Sequence, residues 1–220
     1  MNLLAIDTST ETATVALSIG NELVCEEQPS LRQHAQVLLP MIERLLAATS
    51  SSLKQLDAIA FGRGPGSFTG LRIACSIAKA MAYAHDLPLY PVSSLSAIAW
   101  GAHEIENQNR QAKILAVLDA RMKEYYWGCF SPQEFVCEEK VTAPEMIELG
   151  ADSIILAGVD FDVSLFNADL QQRIVQQSVI YPEARFMIKL VRAGAATPVS
   201  AADALPVYVR NQVTQGESRG

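Results

Sequence analysis

Three apolar runs at the start of the chain recur in the same order in its second half, and this repetition restricts the fold more than any other feature. Leu3–Ile6, Thr12–Ile19 and Glu22–Glu27 read as strands, joined by Asp7-Thr8-Ser9-Thr10-Glu11 and by a tight Gly20-Asn21 turn. Ile114–Leu118, Glu124–Phe130 and Phe135–Val141 repeat the meander, and the first strand again ends on an aspartate, in Asp119-Ala120-Arg121. After the first meander the pattern predicts helix His34–Ala48, strand Ala58–Phe61, helix Leu71–His85, strand Leu89–Val92 and helix Ser94–Ala102. The order βββαβαβα implies an α/β protein with mixed sheets flanked by helices.

A polar run between Ala102 and Ala112 is the strongest composition shift, so two lobes are expected, residues 1–103 and 104–220. The second lobe continues with helix Pro144–Leu149, strand Ser153–Ala157, a loop rich in Phe and Asp, strand Val175–Val179 and helix Pro182–Ala193. The apolar stretch Pro206–Asn211 is expected to dock onto a lobe, and Gly216–Gly220 to fray.

With 220 residues, half of them hydrophobic, the chain can bury a substantial core. Its net charge of −7 argues against gripping nucleic acid directly, because neutralising phosphates needs a basic surface. No apolar stretch is long enough to span a membrane, and the first apolar run meets Asp7 too soon for a signal-peptide core. A cytosolic protein is expected. Cys25, Cys75, Cys129 and Cys137 form no C-x-x-C and read as reduced, buried thiols.

Between strand Ala58–Phe61 and the next helix lies Gly62-Arg63-Gly64-Pro65-Gly66-Ser67-Phe68-Thr69-Gly70-Leu71-Arg72. A glycine loop opening onto a helix can cradle phosphate. The spacing fits neither a P-loop nor the dinucleotide fingerprint, so a tight corner that admits another backbone is the competing reading. Asp7, Thr8, Ser9, Gly64, Gly66, Ser67 and Asp119 are the candidates for a vestigial phosphate or nucleotide cleft. Asp7-Thr8-Ser9 equally suits an ordinary polar turn, and Asp119-Ala120-Arg121 a salt-bridged one.

His34, His85 and His103 are isolated, and the positions a turn beyond His34 hold Val37 and Leu38, so no metal pair is expected. Tyr125, Tyr126 and Trp127 read as core and rim rather than a base-stacking platform.

Helix His34–Ala48 carries a wide apolar arc. Ala35, Leu38, Leu39, Ile42 and Leu46 are assigned to the sheet, which leaves Val37, Met41, Leu45 and Ala48 as an outer stripe. Helix Leu71–His85 is also apolar around most of its circumference, including Ile73, Ile77 and Met81. These seven residues, with Arg63 and Arg72 as charged contacts, are the predicted partner or dimer interface.

Ile6-Asp7-Thr8-Ser9, Arg32-Gln33-His34-Ala35-Gln36, the Gly62–Arg72 stretch, Asp119-Ala120-Arg121 and Pro206–Asn211 together closely resemble the TsaB (YeaZ) family. The likeness runs nearly end to end and is weakest over Asp152–Gln172. It implies the two-lobed fold of sugar kinases, Hsp70 and actin. It also implies a cytosolic, non-catalytic partner of the transferase TsaD, completed by TsaE, in forming threonylcarbamoyladenosine next to the tRNA anticodon. No cofactor of its own, no direct tRNA binding, and a homodimer when TsaD is absent are further implications. Where TsaD-like proteins have a His-x-x-x-His pair, this chain has His34 and Leu38, and the nucleotide loop of the second lobe is reduced to Ala157-Gly158-Val159. The alternatives are a small ATP-dependent phosphotransferase using Asp7 and Asp119, and a metalloprotease, which lacks a second metal ligand.

Overall fold

The computed structural model describes residues 1–29, 33–105 and 111–209. Arg32, the centre of the polar run at 106–110, Arg210-Asn211 and Gly216–Gly220, all named above, lie outside them.

The N-terminal meander forms as expected, with β1 (Leu3–Asp7), β2 (Thr12–Ile19) and β3 (Glu22–Pro29) antiparallel. Helix α1 (His34–Ala48) follows, then β4 (Ala58–Gly64), α2 (Phe68–His85), β5 (Leu89–Ser93) and α3 (Ser94–Ile105). Strand β4 outruns its expected end by three residues and α2 starts three earlier, because the glycine stretch itself supplies the last ladder residues and the first helical turn. Ser67 caps α2 by accepting from the Gly70 N–H at 3.3 Å, and Asp86 ends it in the left-handed region at φ 52°.

The second half builds β6 (Lys113–Asp119), β7 (Tyr125–Phe130), β8 (Lys140–Thr142), β9 (Ile154–Val159), α4 (Ala168–Arg173), β10 (Ile174–Val179) and α5 (Ala184–Arg192). Three expectations fail here. The strand predicted over Phe135–Val141 shrinks to β8, since Phe135 leaves the sheet to stack on Trp100 at 4.6 Å. The helix predicted at Pro144–Leu149 is a single 3-10 turn, Pro144–Met146. The loop expected between β9 and β10 contains α4, whose cap Asn167 accepts from the Leu170 N–H at 2.9 Å.

The two five-stranded sheets run β3-β2-β1-β4-β5 and β8-β7-β6-β9-β10, the same order twice. Each begins with an antiparallel meander and continues with parallel strands, so the fold class is α/β as the repeated meander implies. By this correspondence α3 and α5 are equivalent helices, and they pack on each other between the sheets. Leu3, Ala5 and Ala16 of the first sheet face Ile98, Phe186 and Ile188, and Ile114, Ala116 and Ile155 of the second sheet close the same core.

The other face of the first sheet, Leu4, Ile6, Val15 and Leu17, packs under α1 and α2. The outer face of the second is covered by Ile147, Phe166 and Leu170. Tyr125 and Trp127 are buried there and Tyr126 is half-buried, which agrees with a core and rim role. The thiols are unpaired, but only Cys75 is buried; Cys25 shares the face of its register partner Ala16 and is exposed because β3 is the edge strand of its sheet.

Candidate functional site

The glycine loop and the β1–β2 turn meet face to face at the carboxyl ends of β1 and β4. Asp7, Thr8 and Ser9 are all buried. Asp7 Oδ1 accepts from the Ser9 N–H at 2.9 Å and from Ser9 Oγ at 2.7 Å, and Thr8 Oγ1 donates to the Gly70 carbonyl at 2.7 Å. The Ser67 N–H donates to the Ser9 carbonyl at 2.7 Å. The two Ser9–Asp7 bonds lie within the turn, and the Thr8–Gly70 and Ser67–Ser9 bonds join it to the glycine loop.

The glycines are what permit this approach. A Cβ at Gly62 would collide with Asp7 Oδ2, at Gly66 with the Ser9 backbone, and at Gly70 with the Thr8 carbonyl. Gly66 also holds φ +155°, which side chains rarely adopt. Asp7 Oδ2 has no hydrogen-bond partner among the described residues, and Met187 of α5 seals the same spot. Burial therefore pushes the Asp7 carboxyl up to about 7, against the two bonds from Ser9 that favour the anion. The Asp7 carboxyl is thus enclosed by the Gly62 backbone and Met187.

The remaining cleft candidates do not join it as one site. Gly64 approaches the C-terminal tail instead, where a Cβ would stand 2.8 Å from the Val207 carbonyl. Asp119 occupies the equivalent strand end in the second sheet, accepts from the Arg121 N–H at 2.8 Å and pairs with its guanidinium at 3.2 Å. This is the salt-bridged turn named above. Arg121, Met122 and Lys123 then run in the left-handed region. Gly158, expected in a reduced nucleotide loop, lies inside β9, where a Cβ would strike the Val117 carbonyl of β6.

His34 is buried at the start of α1 and takes a backbone hydrogen bond with Thr10; burial lowers its pKa and that bond partly restores it. Leu38 is a core residue. Among the described residues no group of three His, Cys, Asp or Glu side chains could hold a metal ion.

The predicted interface residues separate sharply. Met41 is fully buried and Leu45 is 6% exposed, so both face the sheet with Leu38 and Ile42. The outer-stripe assignment for these two is corrected: the inward face of α1 is His34, Leu38, Met41, Ile42 and Leu45. Leu39, assigned to the sheet, is instead 48% exposed. Val37, Ile73 and Ile77 are half-buried, Ala48 is exposed, and Met81 is in the core.

Both predicted arginines are engaged within the chain. Arg63 forms a forked pair with Glu139, at 2.8 and 3.1 Å, tying the end of β4 to the β7–β8 connection. Arg72 donates to Tyr208 Oη at 3.0 Å and stacks on Phe68, whose ring also meets Tyr208.

Tyr208 belongs to a tail that docks on the first lobe, as the apolar stretch suggested. Val199 exchanges two backbone bonds with Leu89 at the edge of β5, Lys79 donates to the Ala204 carbonyl at 3.0 Å, and the Val207 N–H donates to Arg63 O at 2.7 Å. Glu139 carries no signal in the sequence, and Met187 carries none beyond its place in an apolar helix. Tyr208 is legible as the aromatic of the apolar stretch expected to dock.

Over residues 28–138 the chain matches a family model described as TsaD, tRNA N6-adenosine threonylcarbamoyltransferase. The Haemophilus influenzae tRNA threonylcarbamoyladenosine biosynthesis protein TsaB is 34% identical, over 97% of this chain and 95% of that protein. Its namesake from Escherichia coli is 41% identical over 61% of this chain and 57% of its own. The solved structure of YeaZ from Pseudomonas aeruginosa superposes with a TM-score of 0.83 at 36% identity, covering 94% of this chain and 99% of that one. With a relative of that identity matched along almost its whole length, this chain belongs to the TsaB family.

Proposed function

We propose that this chain is a non-catalytic, cytoplasmic subunit in the formation of threonylcarbamoyladenosine on tRNA, acting by pairing with TsaD in a complex that TsaE completes. The observation that carries the reading is the closed contact between the Asp7–Ser9 turn and the Gly62–Gly70 loop, which turns the position of a phosphate cradle into a packed joint. The same closure counts against the phosphotransferase alternative, because its aspartate is walled in.

Pairing through α1 and α2 is supported by the apolar surface they leave uncovered: Leu39, Val37 and Ala48 on one helix, Ile73, Ile77 and the exposed Tyr83 on the other. That face also suits a homodimer when TsaD is absent. The acidic surface fits a protein that reaches tRNA through its partner. The chain-order lobes 1–103 and 104–220 would move together in this role, since α5 and the tail cross back onto the first sheet.

The test is light scattering of a mixture with TsaD, alongside tRNA modification by TsaD with and without this chain. A stable complex and a modification rate that depends on it are expected. Absence of a complex, with TsaD fully active alone, would overturn the proposal.

A further inference from the structure

Four sheet edges end this fold, and three are blunted. The β3 edge carries Glu22, Glu26, Glu27 and Pro29. The β8 edge is three residues long and includes Lys140. The β5 edge is bridged antiparallel by Val199 of the tail. The fourth, β10, is Ile174-Val175-Gln176-Gln177-Ser178-Val179, six residues without a charge or a proline. Its only irregularity is a register shift between Ile174 and Gln176. A row of unpaired backbone groups on such an edge is a template for another strand.

The orientation of that row follows from the ladder. The Ile180 N–H donates to the Gly158 carbonyl and Val179 is registered with Gly158, so Ser178 and Ile180 turn their backbone groups toward β9. Gln177 and Val179 therefore turn theirs outward, where no described residue bonds to them. The side chains of Val175 and Val179 are 51% and 71% exposed.

We propose that the outer edge of β10 pairs antiparallel with β10 of a second copy of this chain, about a twofold axis at Gln177. Antiparallel hydrogen-bonded pairing joins outward-turned residues, and the axis at Gln177 gives the longest overlap. Gln177 then exchanges both backbone bonds with the partner's Gln177, and Val179 lies opposite the partner's Val175. The two sheets become one of ten strands. A cavity of about 480 Å³ opens beside Val179, between Phe161 and Tyr181, where the partner's Val175 arrives.

Two observations select a second copy as the occupant. The net charge of −7 makes most self-contacts repulsive, and β10 is an uncharged strip on which two copies can meet. In the doubled topology, β10 also corresponds to β5, whose edge already takes an antiparallel segment from the chain itself.

The experiment uses the full chain in a Leu39→Glu background, which silences the helix face, and reads mass by sedimentation. A dimer is expected that falls to half its mass on adding Gln177→Pro, a change that removes an outward N–H without taking a backbone donor from the β9 ladder. In parallel, Gln177→Cys under mild oxidation is expected to give a disulfide-linked dimer well ahead of a Glu22→Cys control, because hydrogen-bonded pairs lie within disulfide reach. The cross-linking arm decides the matter if the proline variant misfolds or the helix face still associates. Cross-linking no faster than the control would overturn the proposal. So would a monomer whose edge variants lose only the binding of TsaD, since the edge would then take another protein's strand. Either result leaves the pairing of α1 and α2 with TsaD standing or falling on its own test.

Discussion

The free carboxylate oxygen of Asp7 rests against the Cα of Gly62, in the space that any side chain at position 62 would occupy. Gly62→Ala should therefore destabilise the protein by about 3 kcal/mol, through a clash that neither the buried Asp7 nor Met187 can relieve by moving into solvent. Urea denaturation measures this, and a loss under half that size would mean the joint is looser than described.

The same aspartate sets a pH dependence. Its folded pKa, about 7, lies above the ordinary 3.8, so the fold prefers the protonated form. The contribution is present in full below the ordinary value and is lost as pH rises through about 7, a total on the order of 4 kcal/mol. Asp7→Asn should flatten that slope and be the more stable protein above pH 7, which a series of denaturation midpoints across the range would reveal.

Arg63 and Glu139 clasp the two sheets with a fork that is three-quarters buried on one side and nine-tenths on the other. Removing either partner leaves the other's charge partly buried, so Arg63→Ala and Glu139→Ala should each cost about 2 to 3 kcal/mol while the double variant costs much less than their sum. A double-mutant cycle measures the coupling. Additive costs would show that the pair contributes nothing specific.

Tyr208→Ala should cost the whole fold only about 1 kcal/mol, since it removes one ring contact and the bond from Arg72 at the surface. Its larger effect is expected locally, as faster hydrogen exchange of the Val207 amide that holds the tail to Arg63.

The two sides of α1 should respond differently to a carboxylate. Met41→Glu places an unpaired charge in the core and should unfold the chain or cost more than about 4 kcal/mol. Leu39→Glu should leave stability within about 0.5 kcal/mol and reduce association through the helix face. Circular dichroism and sedimentation separate the two outcomes.

How legible these features were in the sequence depended on where their causes lay. The bounds of α1, the first meander, the first two strands of the second and the strand-end aspartates are written in local periodicity and turn chemistry, and they formed close to where the sequence places them, whereas the third strand of the second meander lost most of its length. The direction of α1 was hidden by a polar residue: His34 sits on the buried face because Thr10 satisfies it, and a helical wheel that expects only apolar residues inward is turned aside by it. The closure of the glycine loop was legible as a choice between cradle and corner. What decides it is the position of the Asp7 turn, a contact across more than 50 residues that no spacing rule encodes. Helix α4 escaped because six residues capped by Asn167 leave almost no periodic signal.

Helix α5 fills the inner face of the first sheet, although nearly 80 residues separate it from α3 in the chain. During synthesis, at ~5–20 residues per second, Leu3, Ala5 and Ala16 would thus wait several seconds after their own sheet has emerged before their covering helix arrives. The early sheet must pass through the ribosome's neighbourhood with one apolar face bare. Elements translated late complete a sheet translated early, and a nascent chain halted before α5 would be a natural client for chaperones.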